Sequence, residues 1–207
     1  MGCTANGVAA ALRAAAGAIA EHRDELVELD RAIGDADHGE NMKRGFTAVV
    51  SSLDESVPAD PAAVLKLAAT TLISKVGGAA GPLYGTGFLR AATKIGDAEA
   101  PDVVAALRAA LEGVQARGKA VEQDKTMVDA LLPAVAAAEK AADTEGADIA
   151  AVLTAAADAA AQGAESTVDL VARKGRASYL GERSAGHMDP GARSTALILR
   201  ALAEAAR

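Results

Sequence analysis

The chain has 207 residues, 51% of them hydrophobic, which suffices for one substantial core; one domain over residues 1–207 is the default expectation, with two small ones as the alternative. A net charge of −7 argues against nucleic-acid binding by bulk electrostatics, and the single cysteine, Cys3, excludes an internal disulfide and a multi-cysteine metal site. Ala dominates, Trp is absent, and only six Pro and two Phe occur, so an all-α domain is expected, because Ala loses no side-chain entropy in a helix.

Residues 7 to about 30 read as one long amphipathic helix, with Val8, Leu12, Ala15, Ile19, Leu26 and Leu29 near helical spacing. The first six residues lack the Ser or Thr at position 6 that myristoylation needs. No basic segment precedes an apolar run, so no signal peptide is expected. The apolar runs are Ala-rich and broken by charges, so no membrane span is expected either. A reducing cytoplasm fits the cysteine usage.

The next stretch is the densest in chemistry: Asp30, then Gly34-Asp35-Ala36-Asp37-His38-Gly39-Glu40-Asn41-Met42. Gly on both sides of the Asp35/Asp37 pair should permit backbone angles that other residues avoid. A turn at Gly34 could fold Asp30 back onto the pair. Three converging carboxylates repel unless a cation lies between them, and oxygen-only ligands suit Mg²⁺ with phosphate. Helix caps and a solvated acidic loop are the plainer readings of the same residues. An EF-hand fails, because the sixth position from Asp35 is Glu40 and the twelfth is Phe46.

Asn41 to Leu53 reads as a second helix, whose N-terminus would offer N–H groups to an anion beside the metal site. A third helix opens at Asp60-Pro61 and runs to about Val76. The Gly-rich segment Gly77 to Gly87 can bring backbone N–H groups close to phosphate, or can simply connect two helices. It is not a Walker loop, since it lacks the G-K-[ST] ending. Further helices are expected over 83–95, 101–116, 124–142 with a kink at Pro133, 148–172, and 190 to the C-terminus. Between the last two lies a basic, Gly-rich loop holding Arg173, Lys174, Arg176 and Arg183, which could neutralise phosphate or be a solvated loop. The total is eight helices with mostly short connections.

Taken together the motifs resemble one family. They are Gly34-Asp35-Ala36-Asp37-His38-Gly39-x-Asn41-Met42, Val76-Gly77-Gly78-Ala79-x-Gly81-Pro82-Leu83-Tyr84-Gly85-Thr86, Arg117-Gly118-Lys119-Ala120 and Asp124-Lys125-Thr126-Met127. Ala172 to Ser184 and Asp189-Pro190-Gly191-Ala192 complete the set. The chain resembles, over essentially its whole length, the nucleotide-binding (L) subunits of dihydroxyacetone kinases. The resemblance implies a closed barrel of eight antiparallel helices with a nucleotide at one end. It implies that Asp30, Asp35 and Asp37 hold two Mg²⁺ ions bridging the phosphates of ADP or ATP. It carries nucleotide contacts to His38, Gly39, Glu40, Asn41, Gly78, Ala79, Ala80, Gly118, Met127, Arg176, Asp189, Pro190 and Gly191. Met127 would cover the adenine, and Arg176 would act catalytically on the moving phosphoryl group. Ala80 departs from the family, which commonly has Ser there, so a hydroxyl donor to phosphate is missing.

The resemblance further implies two partners. One is a K subunit holding dihydroxyacetone; the other is a phosphotransferase-system phosphoprotein that recharges ADP kept as a coenzyme. A homodimer is left open. An ATP-exchanging kinase subunit for another ketose such as erythrulose, and a mainly regulatory ADP-bound subunit contacting a transcription factor, are the other readings.

Overall fold

The computed structural model describes residues 4–96 and 99–207; Cys3 and the myristoylation-like start lie outside the described residues. Nine α-helices are described: α1 Ala5–Glu21, α2 Arg23–Ile33, α3 His38–Glu55, α4 Pro61–Lys75, α5 Ala80–Ala91, α6 Ala100–Gly118, α7 Val128–Ala142, α8 Ile149–Ser166 and α9 Pro190–Ala205. A 3-10 segment, Arg176–Ser184, lies between α8 and α9, and no strand occurs among the described residues.

The all-helical expectation holds, and the ninth helix has one origin. The helix expected over 7–30 is broken at His22, whose backbone (φ −92°, ψ 13°) ends α1 and starts α2. Apolar spacing gives no warning, because Ile19 and Leu26 are one heptad apart and both fully buried. The break is fastened by polar groups: His22 Nδ1 lies 2.6 Å from Glu25 Oε2, and Arg193 of α9 bonds Glu25 Oε1 at 2.6 Å.

Other boundaries move for local reasons. α5 starts at Ala80 rather than Leu83, because Pro82 falls in the first turn, where no N–H is needed. α7 starts at Val128 rather than Asp124. Asp129 draws the backbone N–H groups of Gln123 (2.5 Å) and Thr126 (2.8 Å) into a turn instead. α8 ends at Ser166, six residues before the expected Ala172, where Thr167 Oγ1 donates back to the Ala164 carbonyl at 2.6 Å. α7 continues as one helix through Pro133, and Gly163 of α8 leaves room for that ring: a Cβ there would sit 2.8 Å from Pro133 Cγ.

Each helix from α3 to α9 packs on the next one in sequence; α9 packs on α1, and α1 packs on α3. Ala134 and Ala138 on α7, with Ala156 and Ala160 on α8, are fully buried and allow close approach of the backbones. Phe46, Leu12, Ile19, Met42 and Leu72 fill the centre. Beside them an apolar cavity of about 210 Å³ is lined by residues including Phe88, Val103, Leu131, Leu153 and Ile198. No helix among the described residues is long and apolar enough to cross a membrane.

Candidate active site

At one end of the bundle a cleft of about 600 Å³ opens among the connections α2–α3, α4–α5, α6–α7 and α8–α9. Asp30 reaches it from the last turn of α2, and Asp35 and Asp37 from the loop that follows. One carboxylate oxygen from each lies within 4.8 Å of the other two. Asp30 is buried, and its Oδ2 accepts the backbone N–H groups of Asp37 (2.8 Å) and His38 (3.1 Å). The loop is therefore folded around the Asp30 carboxylate.

The flanking glycines provide space. Gly34 has φ −142°, and a Cβ there would stand 2.1 Å from Asp30 Oδ1. A Cβ on Gly39 would stand 2.3 Å from the Arg23 carbonyl oxygen. The residue that does take a left-handed conformation is Ala36, at φ 62°. For a residue with a Cβ that conformation costs about 1–2 kcal/mol, which the Asp30 hydrogen bonds offset.

Among the described residues, Arg176 is the only cation paired with this cluster, through Asp35 Oδ2 at 2.8 Å. Three carboxylates so close carry more negative charge than one guanidinium balances. The donors are all oxygen, with no sulfur or imidazole in the set, which is the chemistry of a hard divalent cation. The residues present thus fit Mg²⁺.

Four helix N-termini open on the same cleft: His38 begins α3, Ala80 begins α5, Val128 begins α7, and Pro190 begins α9. The first-turn N–H groups of a helix have no intrahelical acceptor and favour anions. Arg117, Lys174 and Arg176 add positive charge to the walls. Asn41, Gly78, Ala79, Gly118, Met127, Asp189 and Gly191 also line the cleft. Gly39 and Glu40 do not. Gly39 is buried against α2, and the Glu40 carboxylate pairs with Arg23, so these two face the cleft only through the first turn of α3. Gly78, at φ 63°, occupies open space in a conformation that disfavours any side chain. Asn41 is held by Arg44, which also bonds the Lys75 carbonyl at 3.0 Å, and it fills the space where a Gly77 Cβ would go.

Behind this surface runs a polar network that sequence reasoning missed. His38 Nε2 lies 2.9 Å from Ser194 Oγ, and Ser194 Oγ lies 2.7 Å from the Tyr84 hydroxyl. Tyr84 also contacts Thr195 Oγ1 at 2.9 Å and donates toward the Gly191 carbonyl at 3.1 Å. Tyr84 stood within a quoted motif, whereas Ser194 and Thr195 carried no signal. Burial pushes the His38 imidazole down from 6.5, against the pull of Asp30 and Asp37. Asp189 caps α9 by accepting the Ala192 N–H at 2.7 Å. Loss of solvation pushes its carboxyl up to about 7; the Ala192 N–H opposes this and the negative charge of Asp129 adds to it.

The model of one family, described as the DAK2 domain, matches residues 32–204. That stretch holds every residue of the cleft except Asp30. The chain belongs to the DAK2-domain family. Two curated members are close in length and sequence. The ADP-binding subunit DhaL of PEP-dependent dihydroxyacetone kinase 1 from Listeria innocua is 43% identical over 187 residues, covering 89% of this chain and 88% of that one. The ADP-binding subunit DhaL of the PEP-dependent dihydroxyacetone kinase of Escherichia coli is 45% identical over 185 residues, covering 88% of each. Among solved structures, the dihydroxyacetone kinase from C. freundii in complex with AMP-PNP and Mg²⁺ matches with a TM-score of 0.74 and 30% identity. That match covers 95% of this chain, which spans 33% of the longer C. freundii chain. This DAK2 chain is therefore similar both to subunits of about its own length and to one third of a longer kinase chain.

Proposed function

We propose that this DAK2 chain is the ADP/ATP-binding subunit of a dihydroxyacetone kinase, a phosphotransferase that passes a phosphoryl group from a bound nucleotide to a small ketose held on a separate K subunit. One observation carries the reading: three carboxylates converge at the mouth of a cleft onto which four helix N-termini open. The names of the Listeria and E. coli relatives, and the AMP-PNP and Mg²⁺ of the C. freundii complex, support it. The circular order of helix contacts supports a closed barrel of eight antiparallel helices, with α1 and α2 together forming one stave. The whole described chain is then a single nucleotide-binding domain, at work in the cytoplasm.

Asp30, Asp35 and Asp37 would hold two Mg²⁺ ions, which when bound neutralise phosphate charge and polarise the transferring group. The chain's own residues do the rest. The first turns of α3, α5 and α9 bind phosphate oxygens through N–H groups, with Gly78 and Ala79 admitting close backbone approach. Met127, Gly118, Asp189, Pro190 and Gly191 line the part of the cleft that takes the nucleoside. Arg176 leaves Asp35 to meet the charge that develops on the transferred phosphoryl group. No nucleophile is needed here, because the attacking hydroxyl belongs to the substrate. A phosphoprotein of the phosphotransferase system then restores the nucleotide to its triphosphate.

The test is made on protein purified without added nucleotide. After denaturation, about one ADP and about two Mg²⁺ per chain are expected, the ratio a two-metal clamp requires. An empty site that takes up ATP reversibly would replace the coenzyme reading with an exchanging kinase. Absence of any ADP or ATP binding in Mg²⁺ overturns the assignment.

A further inference from the structure

The turn before α7 holds a buried cation that the chemistry above does not use. Lys125 is 1% exposed. Its ammonium donates to the carbonyl oxygens of Thr167 (2.5 Å), Val168 (3.3 Å) and His187. An ammonium has three protons, so all its donors are engaged. No carboxylate forms an ion pair with it among the described residues. Its acceptors come from two segments remote in sequence. Thr167 and Val168 follow the last turn of α8, where carbonyls lack intrahelical partners and the helix dipole favours a cation. His187 stands two residues before Asp189, the cap of α9.

The turn carrying Lys125 is itself fixed. Gln123 and Lys125 have φ of 67° and 61°, and both conformations are held from the side by carboxylates. Asp124 accepts the Val121 N–H, and Asp129 accepts those of Gln123 and Thr126. Thr167 completes the tie, since its hydroxyl accepts the Asp189 N–H at 2.9 Å. Two residues along from Lys125 is Met127, and the position of a Gly191 Cβ lies 3.6 Å from Met127 Cβ. Met127 and Gly191 are therefore in contact, and both belong to the cleft lining proposed for the nucleoside.

We infer that Lys125 is a positioning residue for nucleotide binding: its ammonium clamps the 121–127 turn, the end of α8 and the 187–191 turn together, and so holds Met127 against Gly191 in the lining of the cleft. The inference rests on the nucleotide reading above. It assigns Lys125 no contact with phosphate, because its three protons are spent on carbonyls.

Two variants test it: K125M, which keeps the stem and removes the ammonium, and T167V, which keeps the shape and removes only the hydroxyl that holds Asp189. Each is assayed for MgADP affinity by calorimetry and for amide hydrogen exchange. K125M should weaken MgADP at least tenfold and T167V severalfold. Exchange should rise at 187–192 and 124–127 and stay unchanged at 34–41, a regional pattern that general destabilisation does not produce. If K125M does not fold, T167V decides. MgADP affinity within twofold of the parent in T167V and in any folded K125M overturns the proposal and leaves the nucleotide reading intact. A parent protein that binds no MgADP removes both.

Discussion

Arg176 and Asp35 form a 2.8 Å ion pair across the mouth of the cleft. It joins the start of the 3-10 segment to the acidic loop, more than a hundred residues apart in sequence. The Arg176 side chain is 70% exposed, so the pair itself adds little to stability. R176A should therefore leave the melting temperature within about 2 °C of the parent, corresponding to roughly 0.5 kcal/mol or less. Phosphoryl transfer to the ketose, assayed with both partner proteins, should fall by about 10²–10³, the usual loss on removing one transition-state donor. Full activity in R176A would withdraw its catalytic role.

The three aspartates should not behave alike. Asp37 is exposed, and without Mg²⁺ it only repels its neighbours, so D37N should melt at or above the parent in chelator. On addition of Mg²⁺ and ADP the parent should gain stability by linkage and D37N should not. Asp30 also accepts two backbone N–H groups, so D30A should lose about 1–3 kcal/mol even in chelator. Thermal melts with and without MgADP read both effects.

Stability should carry the titration of Asp189. Its carboxyl is raised from 3.8 to about 7 in the folded chain, chiefly by loss of solvation. Between those values the folded state holds a proton that the unfolded state has released. The contribution of this group therefore falls as pH rises from about 4 through 7. D189N keeps an oxygen to cap Ala192 and loses the titration. In urea melts, the advantage of D189N over the parent should grow from pH 5 to pH 7.5, and parallel curves would contradict the shift.

Ala80 is the first residue of α5 and lines the cleft. A80S places a hydroxyl donor beside the expected phosphates. One added hydrogen bond to a charged group is worth about 1.5 kcal/mol, so MgADP should bind about tenfold more tightly by calorimetry. Unchanged affinity would mean that the backbone N–H groups already satisfy those oxygens.

The acidic corner and the Gly-rich loop of the candidate site could be read from composition and spacing because they are short, continuous segments, whereas Gly118, Met127 and Asp189 to Gly191 were picked out only by the family resemblance. Asp30, Asp35, Asp37 and His38 lie within nine positions, and the Gly-rich loop announces itself by residue type. The break at His22 could not be read, because Ile19 and Leu26 keep phase across it. The early end of α8 was equally hidden, since it depends on Thr167 turning back to Ala164 and on a lysine 42 residues away. The contact of Ser194 with His38 spans 156 positions, and neither residue's neighbourhood hints at the other. The glycines beside Asp35 and Asp37 were legible as important, but that Asp30 and Arg23 need the room shows only in the packing.

Every second connection of the chain serves the cleft, beginning with α2–α3 and continuing through α4–α5, α6–α7 and α8–α9. Among the described residues, the connections between them, 56–60, 92–99 and 143–148, contribute none to it. Gly146, exposed and with nothing within 4 Å of where a Cβ would stand, sits in the last of these. The molecule thus offers a handle on the side away from its chemistry. A fluorophore or surface tether attached at residue 145 would hold the protein by its blank loops and leave the cleft free for its partners.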